Sequence, residues 1–182
     1  MNSSRRTALI VVGAAALAPW PAVASTPPAE VLADLPGARL HGQGRLRFLG
    51  LHVYDIRLWA TSALRSDNAE RAGAALEIEY ARALKGPLIA ERSLAEMRRV
   101  GEVTTDDGER WLAAMKQLFP DVQAGDRITG VHRPGEGARF HHNGRLIGEL
   151  RDAAFARLFF GIWLSVRTSE PQLRQALLGI TS

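Results

Sequence analysis

Three histidines, His132, His141 and His142, and three arginines near one another, Arg39, Arg45 and Arg47, are the residues whose types and spacing could do chemistry. The histidines suggest a metal. However, His141 and His142 are adjacent, and neighbours on a strand point to opposite faces, so only one of them could join His132. No carboxylate spacing completes a ligand set, and no metal site is expected. A Ser-His-Asp arrangement lacks the Gly-x-Ser-x-Gly elbow that would support it. Gly42-Gln-Gly44 leads into a strand where a dinucleotide fingerprint needs a helix, and Asp106-Asp107 suits helix capping. With no cysteine there is no thiolate nucleophile, disulfide or Cys-based metal site. No cofactor is expected.

The arginines belong to an alternating stretch. Leu40, Leu46 and Phe48, with Gly42 and Gly44, fall on one side, and His41, Gln43, Arg45 and Arg47 on the other. That period of two predicts a β-strand with one apolar and one polar face. Gly50 breaks the run, and Leu51 to Ala60 reads as a second strand, apolar on both faces except for His52, Asp55 and Arg57. Few polar positions imply a strand covered on both sides. A basic strand beside it is either the wall of a ligand cleft or a solvated edge.

The chain begins with an address label. Arg5-Arg6, the apolar run Thr7 to Ala18 and the small residues Ala22-Val-Ala24 predict a secretory signal cut between Ala24 and Ser25. Ser4-Arg5-Arg6-Thr7-Ala8-Leu9 partly resembles a twin-arginine signal, though two arginines also suit an ordinary one; by either route the expected location is the periplasm. Removal of residues 1–24 leaves enough chain for one domain with a core, and takes two cations from the formal charge of +4. Apart from Lys85 and Lys116 every cation is arginine. No aromatic residues interleave with them along one face, so no nucleic acid is expected.

Residues 25–37 are Pro- and Ala-rich and read as a loosely held lead-in to a domain over 38–182. Leu76-Glu-Ile-Glu-Tyr80 alternates, with Glu77 and Glu79 either across from Arg57 or in water. Pro87 sets a helix start; Ile89, Leu94, Met97 and Val100 mark its face and Gly101 ends it. Thr104 or Thr105 caps a second helix whose stripe is Trp111, Leu112, Met115, Leu118 and Phe119. Asp126 to Leu150 reads as a β-meander, with Asn143-Gly144 as a two-residue hairpin turn. Asp152 to Leu164 is apolar nearly all round, a helix buried on the sheet but too short to span a membrane. Ser169 and Gln172 form a capping box, with Pro171 in the first turn of a last helix. The order predicts an α+β fold, an antiparallel sheet with helices layered on it.

Gly42-Gln-Gly-Arg45, Leu49-Gly-Leu-His-Val-Tyr-Asp-Ile-Arg-Leu-Trp59, Lys85-Gly86 with Ile89-Ala-Glu-Arg-Ser93, Ala124 to Gly130, Asn143 to Gly148 and Phe159 to Leu173 together resemble the bacterial chalcone isomerase-like family. The resemblance implies an open-faced β-sandwich with a cleft between sheet and helices. In the plant enzymes a cleft arginine stabilises negative charge, with a threonine and a tyrosine. The matching arginine is Arg45, with Arg47 or Arg39 if the register slips. The threonine falls on Leu49 and the tyrosine near Thr104 or Thr105, which argues against chalcone cyclisation. The resemblance thus implies a binder of a small amphipathic anion such as a fatty acid, with Arg45 clamping the carboxylate, and Arg47 and Tyr54 as further ligand-binding residues. The alternatives are an isomerase or intramolecular lyase, and a partner protein of an envelope complex.

Overall fold

A computed structural model describes residues 26–180 apart from 66 and 70; the expected signal at 1–24 and its cut after Ala24 lie outside the described residues. Six strands, β1 (Arg39–Phe48), β2 (Leu51–Ala60), β3 (Ala74–Tyr80), β4 (Arg127–Arg133), β5 (Gly137–His142) and β6 (Arg145–Leu150), form one sheet in chain order. Every neighbouring pair is antiparallel. Among the described residues five helices accompany it: α1 (Ala29–Asp34), α2 (Gly86–Val100), α3 (Thr105–Leu118), α4 (Ala153–Leu164) and α5 (Pro171–Leu178). This is the expected open-faced α+β arrangement.

Alternation sorts the strand residues onto two faces. Ile56, Leu58, Leu76, Ile78 and Phe140 point to the helices and pack with Phe155 and Phe160 of α4 in one buried cluster. Helix α4 is apolar all round because it lies between β4 and β5 on one side and α2 and α5 on others. Its cap, Asp152, accepts from the Phe155 amide at 2.9 Å and from the Trp111 indole at 2.9 Å, which ties α4 to α3. Thr104 caps α3, its hydroxyl oxygen accepting from the Asp107 amide at 3.1 Å.

The opposite face carries charge and is paired across strands. Arg57 sits opposite Glu77, within 3.2 Å of it and 3.3 Å of Glu79, the first of the two alternatives for these acids. Glu77 is buried and also accepts from the Trp59 indole at 2.8 Å.

Three expectations are corrected. Within the expected loose lead-in, Ala29–Asp34 form a packed helix, α1. Val31 of α1 is fully buried against Trp59, Ala75 and Val131, and the Glu30 carboxylate accepts from Arg127 and Thr129 at 3.0 Å each. One apolar anchor in a six-residue helix is too little for periodicity to register. Leu40 does not share a face with Leu46, because the ladder shifts between Leu40 and Gly42 and sends Leu40 to the α1 side. Ser169 does not cap α5; the cap position is Glu170, without a side-chain capping bond, while the Glu170 amide is held by the Thr168 hydroxyl at 3.1 Å.

Gly42 and Gly44 have a packing reason. A Cβ on Gly42 would stand 2.2 Å from the Leu177 carbonyl oxygen, and one on Gly44 would be 2.4 Å from Leu173 Cδ1. Their bare backbone is the seat of α5 on β1.

Candidate functional site

A cavity of about 360 Å³ opens between the helix face of β1–β3 and helices α2 and α4. Its walls are apolar, with Leu46, Ile78, Ile89, Phe119 and Phe159 among them. Each wall residue follows from a pattern already described. Leu46 and Ile78 are helix-facing strand positions, Ile89 lies on the inward face of α2, and Phe159 belongs to the aromatic cluster that also holds Phe140, Phe155 and Trp163.

Few polar groups enter this space. Tyr54 of β2 stands opposite Tyr80 of β3, their rings 6.1 Å apart edge to face. The Trp163 indole donates to the Tyr54 hydroxyl oxygen at 2.8 Å. A phenol has one proton and can also accept; with Trp163 supplying the accepted bond, Tyr54 keeps its proton to donate, and no acceptor for it occurs among the described residues. Burial raises the pKa of Tyr54 well above the ordinary phenol value, outweighing the indole bond that lowers it. The group is therefore a neutral donor at physiological pH, not a base. Burial raises Tyr80 likewise, and the neighbouring Tyr54 adds to the effect.

Arg92 and Glu96 project from α2, one turn apart, with guanidinium and carboxylate 2.8 Å apart. Glu96 is buried and its pairing fixes Arg92 at the cleft wall. A guanidinium has five donors, so this pair leaves others for a bound group. Arg92 also lies close enough to Tyr54 for its charge to lower that phenol's pKa. Arg82, just past β3, is exposed at the cleft and has no ion-pair partner among the described residues.

The expected site residues divide. Tyr54 lines the cleft. Arg45 does not: it sits opposite Asp55 on the other face of the sheet, and its Nε donates to that carboxylate at 2.7 Å. The partner, through this bond first, holds the Asp55 pKa below the usual carboxylate range. Arg47 is exposed beside the β1–β2 turn and reaches the Gly50 carbonyl at 3.4 Å. Arg39 begins β1 opposite Ala60, at the far end of the strand. Leu46, between Arg45 and Arg47, faces the cleft, so the alternation that makes β1 a strand also turns Arg45 and Arg47 away. Leu49 is at the turn and 87% exposed, and Thr104 is occupied as a cap.

Trp163, Arg92, Tyr80 and Arg82 escaped sequence reasoning. Trp163 and Tyr80 looked like core residues and are also core residues. Arg92 stood within Ile89-Ala-Glu-Arg-Ser93, one of the segments carrying the resemblance, and its spacing of four from Glu96 was a visible signal for a fixed guanidinium.

The histidines do not converge. Among the described residues no three His, Cys, Asp or Glu side chains gather as a metal set. His132 Nδ1 donates to the Ala72 carbonyl at 2.9 Å and its ring stacks on Phe160 at 4.8 Å. His141 is buried on the α1 side of β5.

Residues 38–179 match the chalcone isomerase-like family, and the chain belongs to that family. Among solved structures it is similar to the crystal structure of a fatty-acid binding protein of Arabidopsis thaliana, with a TM-score of 0.64 and 15% identity over 79% of this chain and 87% of that one. At that identity the likeness establishes the fold. No curated protein matches the chain.

Proposed function

We propose that the cleft binds a small amphipathic molecule with an acidic head group, a fatty acid being the simplest case. One observation carries this: an open, apolar cavity lined by a neutral phenol whose proton has no acceptor among the described residues, beside a guanidinium paired with Glu96. The apolar walls would take an alkyl or aromatic body by the hydrophobic effect, while Tyr54 and Arg92 would fix the head group. Arg92 thus takes the role expected of Arg45, whose charge is already matched by Asp55. The structural neighbour's own ligand class, fatty acids, supports the reading. So does the openness of the cleft, since a purely scaffolding member would have it filled. The basic, apolar and small-residue order of residues 1–24 supports delivery to the periplasm, where such a carrier would meet lipids of the envelope.

Mass spectrometry of organic extracts from the purified protein tests it. An acidic lipid near one equivalent in the parent, and depleted in Tyr54→Phe and Arg92→Ala variants that remain folded, is the expected result. Protein that carries no lipid and takes up no added fatty acid would overturn the reading.

A further inference from the structure

The turn between β1 and β2 is built against local preference. Leu49 and Gly50 have φ of 50° and 79°, the left-handed pair of a two-residue hairpin. The β5–β6 turn has the same hand, with Asn143 at 49° and Gly144 at 82°. There the asparagine is suited to its place: its side-chain oxygen accepts from the Arg127 amide at 2.8 Å and its amide donates to Asp126 at 2.9 Å. Leucine has no such bond to make and its Cβ disfavours positive φ. It is also 87% exposed, flanked by Phe48 at 57% and Leu51 at 56%. The chain thus bears both backbone strain and apolar exposure at one tip.

That tip adjoins the cleft. Phe48 lines the cavity and is exposed, as is Leu88 of α2 on the other side of the opening. Arg47 precedes the same turn on β1 and Arg82 lines the cavity; both are exposed, and neither has a carboxylate partner among the described residues. Of the other strand arginines, Arg45, Arg57, Arg127, Arg133 and Arg139 are each paired with an acid, while Arg39 and Arg145 also have no carboxylate partner among the described residues but do not line this cavity. Exposed apolar side chains with unmatched cations beside them fit a surface that is greasy just below an anionic layer.

We propose that this hairpin tip docks on an anionic phospholipid bilayer, with Phe48, Leu49, Leu51 and Leu88 entering the headgroup region and Arg47 and Arg82 meeting lipid phosphates. The cleft mouth then opens onto the bilayer. Docking stands on the tip itself; its use, transfer of a lipid between bilayer and cleft, rests on the binding reading above.

The chain contains no cysteine, so a single one can be placed and labelled. Because Thr7 to Ala18 is itself apolar, a local readout is needed rather than bulk flotation. An environment-sensitive fluorophore on Leu49→Cys in the full chain is mixed with phosphatidylcholine–phosphatidylglycerol vesicles. The same label on Glu136→Cys reports from the turn at the opposite end of the sheet, which the antiparallel register puts away from the tip. The expected result is a blue shift and quenching by bilayer-buried quenchers at position 49 only, weakening several-fold as salt screens the arginines. Arg47→Gln with Arg82→Gln should remove most of that salt dependence. Leu49→Asn, in a chain labelled at Leu51→Cys, should lower insertion while leaving the denaturation midpoint unchanged or raised, since asparagine tolerates the turn. A label at 49 that stays aqueous on anionic vesicles, with protein partners as the remaining use of the tip, overturns the proposal. Insertion by a protein that carries no lipid and takes up no added fatty acid would sustain docking and sink the carrier reading.

Discussion

The two faces of the sheet are made of the same alternating strands and spend their residues differently. On the helix face, Tyr54, Ile56 and Leu58 of β2 alternate with Asp55, Arg57 and Trp59 on the other. The helix face excludes charge from its interior, admits ionic groups only at the cleft, and leaves a cavity there. The opposite face gathers Glu30, Asp55, Glu77, Arg45, Arg57 and Arg127 and matches them to one another. An arginine whose charge is already matched has little left for a ligand. What distinguishes a binding guanidinium from a structural one here is the face it occupies rather than its place in a motif.

Substitutions that break this contrast are ordered by size. Phe160→Ala on the helix face removes a fully buried ring packed on Phe159 and His132. It should cost about 3–5 kcal/mol, read as a large drop in the urea midpoint. On the α1 face Glu77→Ala strands the Trp59 indole and takes a partner from Arg57 and Arg127, whose side chains are 30% and 32% exposed and can be rehydrated. The loss should be smaller, about 2 kcal/mol, with ligand retention unchanged. A Glu77→Ala chain more damaged than Phe160→Ala would reverse the assignment of structural weight.

A pH effect comes next. Burial, the larger cause in each case, lowers the pKa of His132 and His141 below the ordinary imidazole value. The folded chain then binds these protons more weakly than the unfolded chain. Their contribution is therefore fully present above the unfolded value of about 6.5 and is lost as pH falls through it toward the lower folded values. Urea midpoints between about pH 8 and pH 5 should decline in that window, and His132→Gln should flatten part of the slope. Smallest of all is Arg45→Ala, an exposed pair on a strand at the sheet edge, which should leave the midpoint where it is.

The strands and helices were legible because each has a period and a stop. Pro87 sets α2, Asn143-Gly144 turns β5 into β6, and Trp111 to Phe119 reads as one stripe. The sidedness of β1 was less legible, since a single bulge after Leu40 sends that residue to the opposite cluster while Leu46 keeps its place. Helix α1 was invisible for want of length. At the site, Tyr54 was found through its motif, but Arg45 drew attention because it was charged and near glycines. Those glycines serve α5 instead. The proton left on Tyr54 depends on Trp163, distant in sequence, and no local pattern joins the two.

The most direct test of the account is a fatty-acid titration, by calorimetry or displacement of a fluorescent analogue, on the parent and on Tyr54→Phe, Arg92→Ala and Arg45→Ala. Loss of the phenol proton should raise Kd roughly five- to tenfold, and loss of the cleft guanidinium by about tenfold or more, while Arg45→Ala should match the parent. A Kd that collapses in Arg45→Ala and is unmoved in Tyr54→Phe and Arg92→Ala would place the ligand on the other face of the sheet and contradict the account.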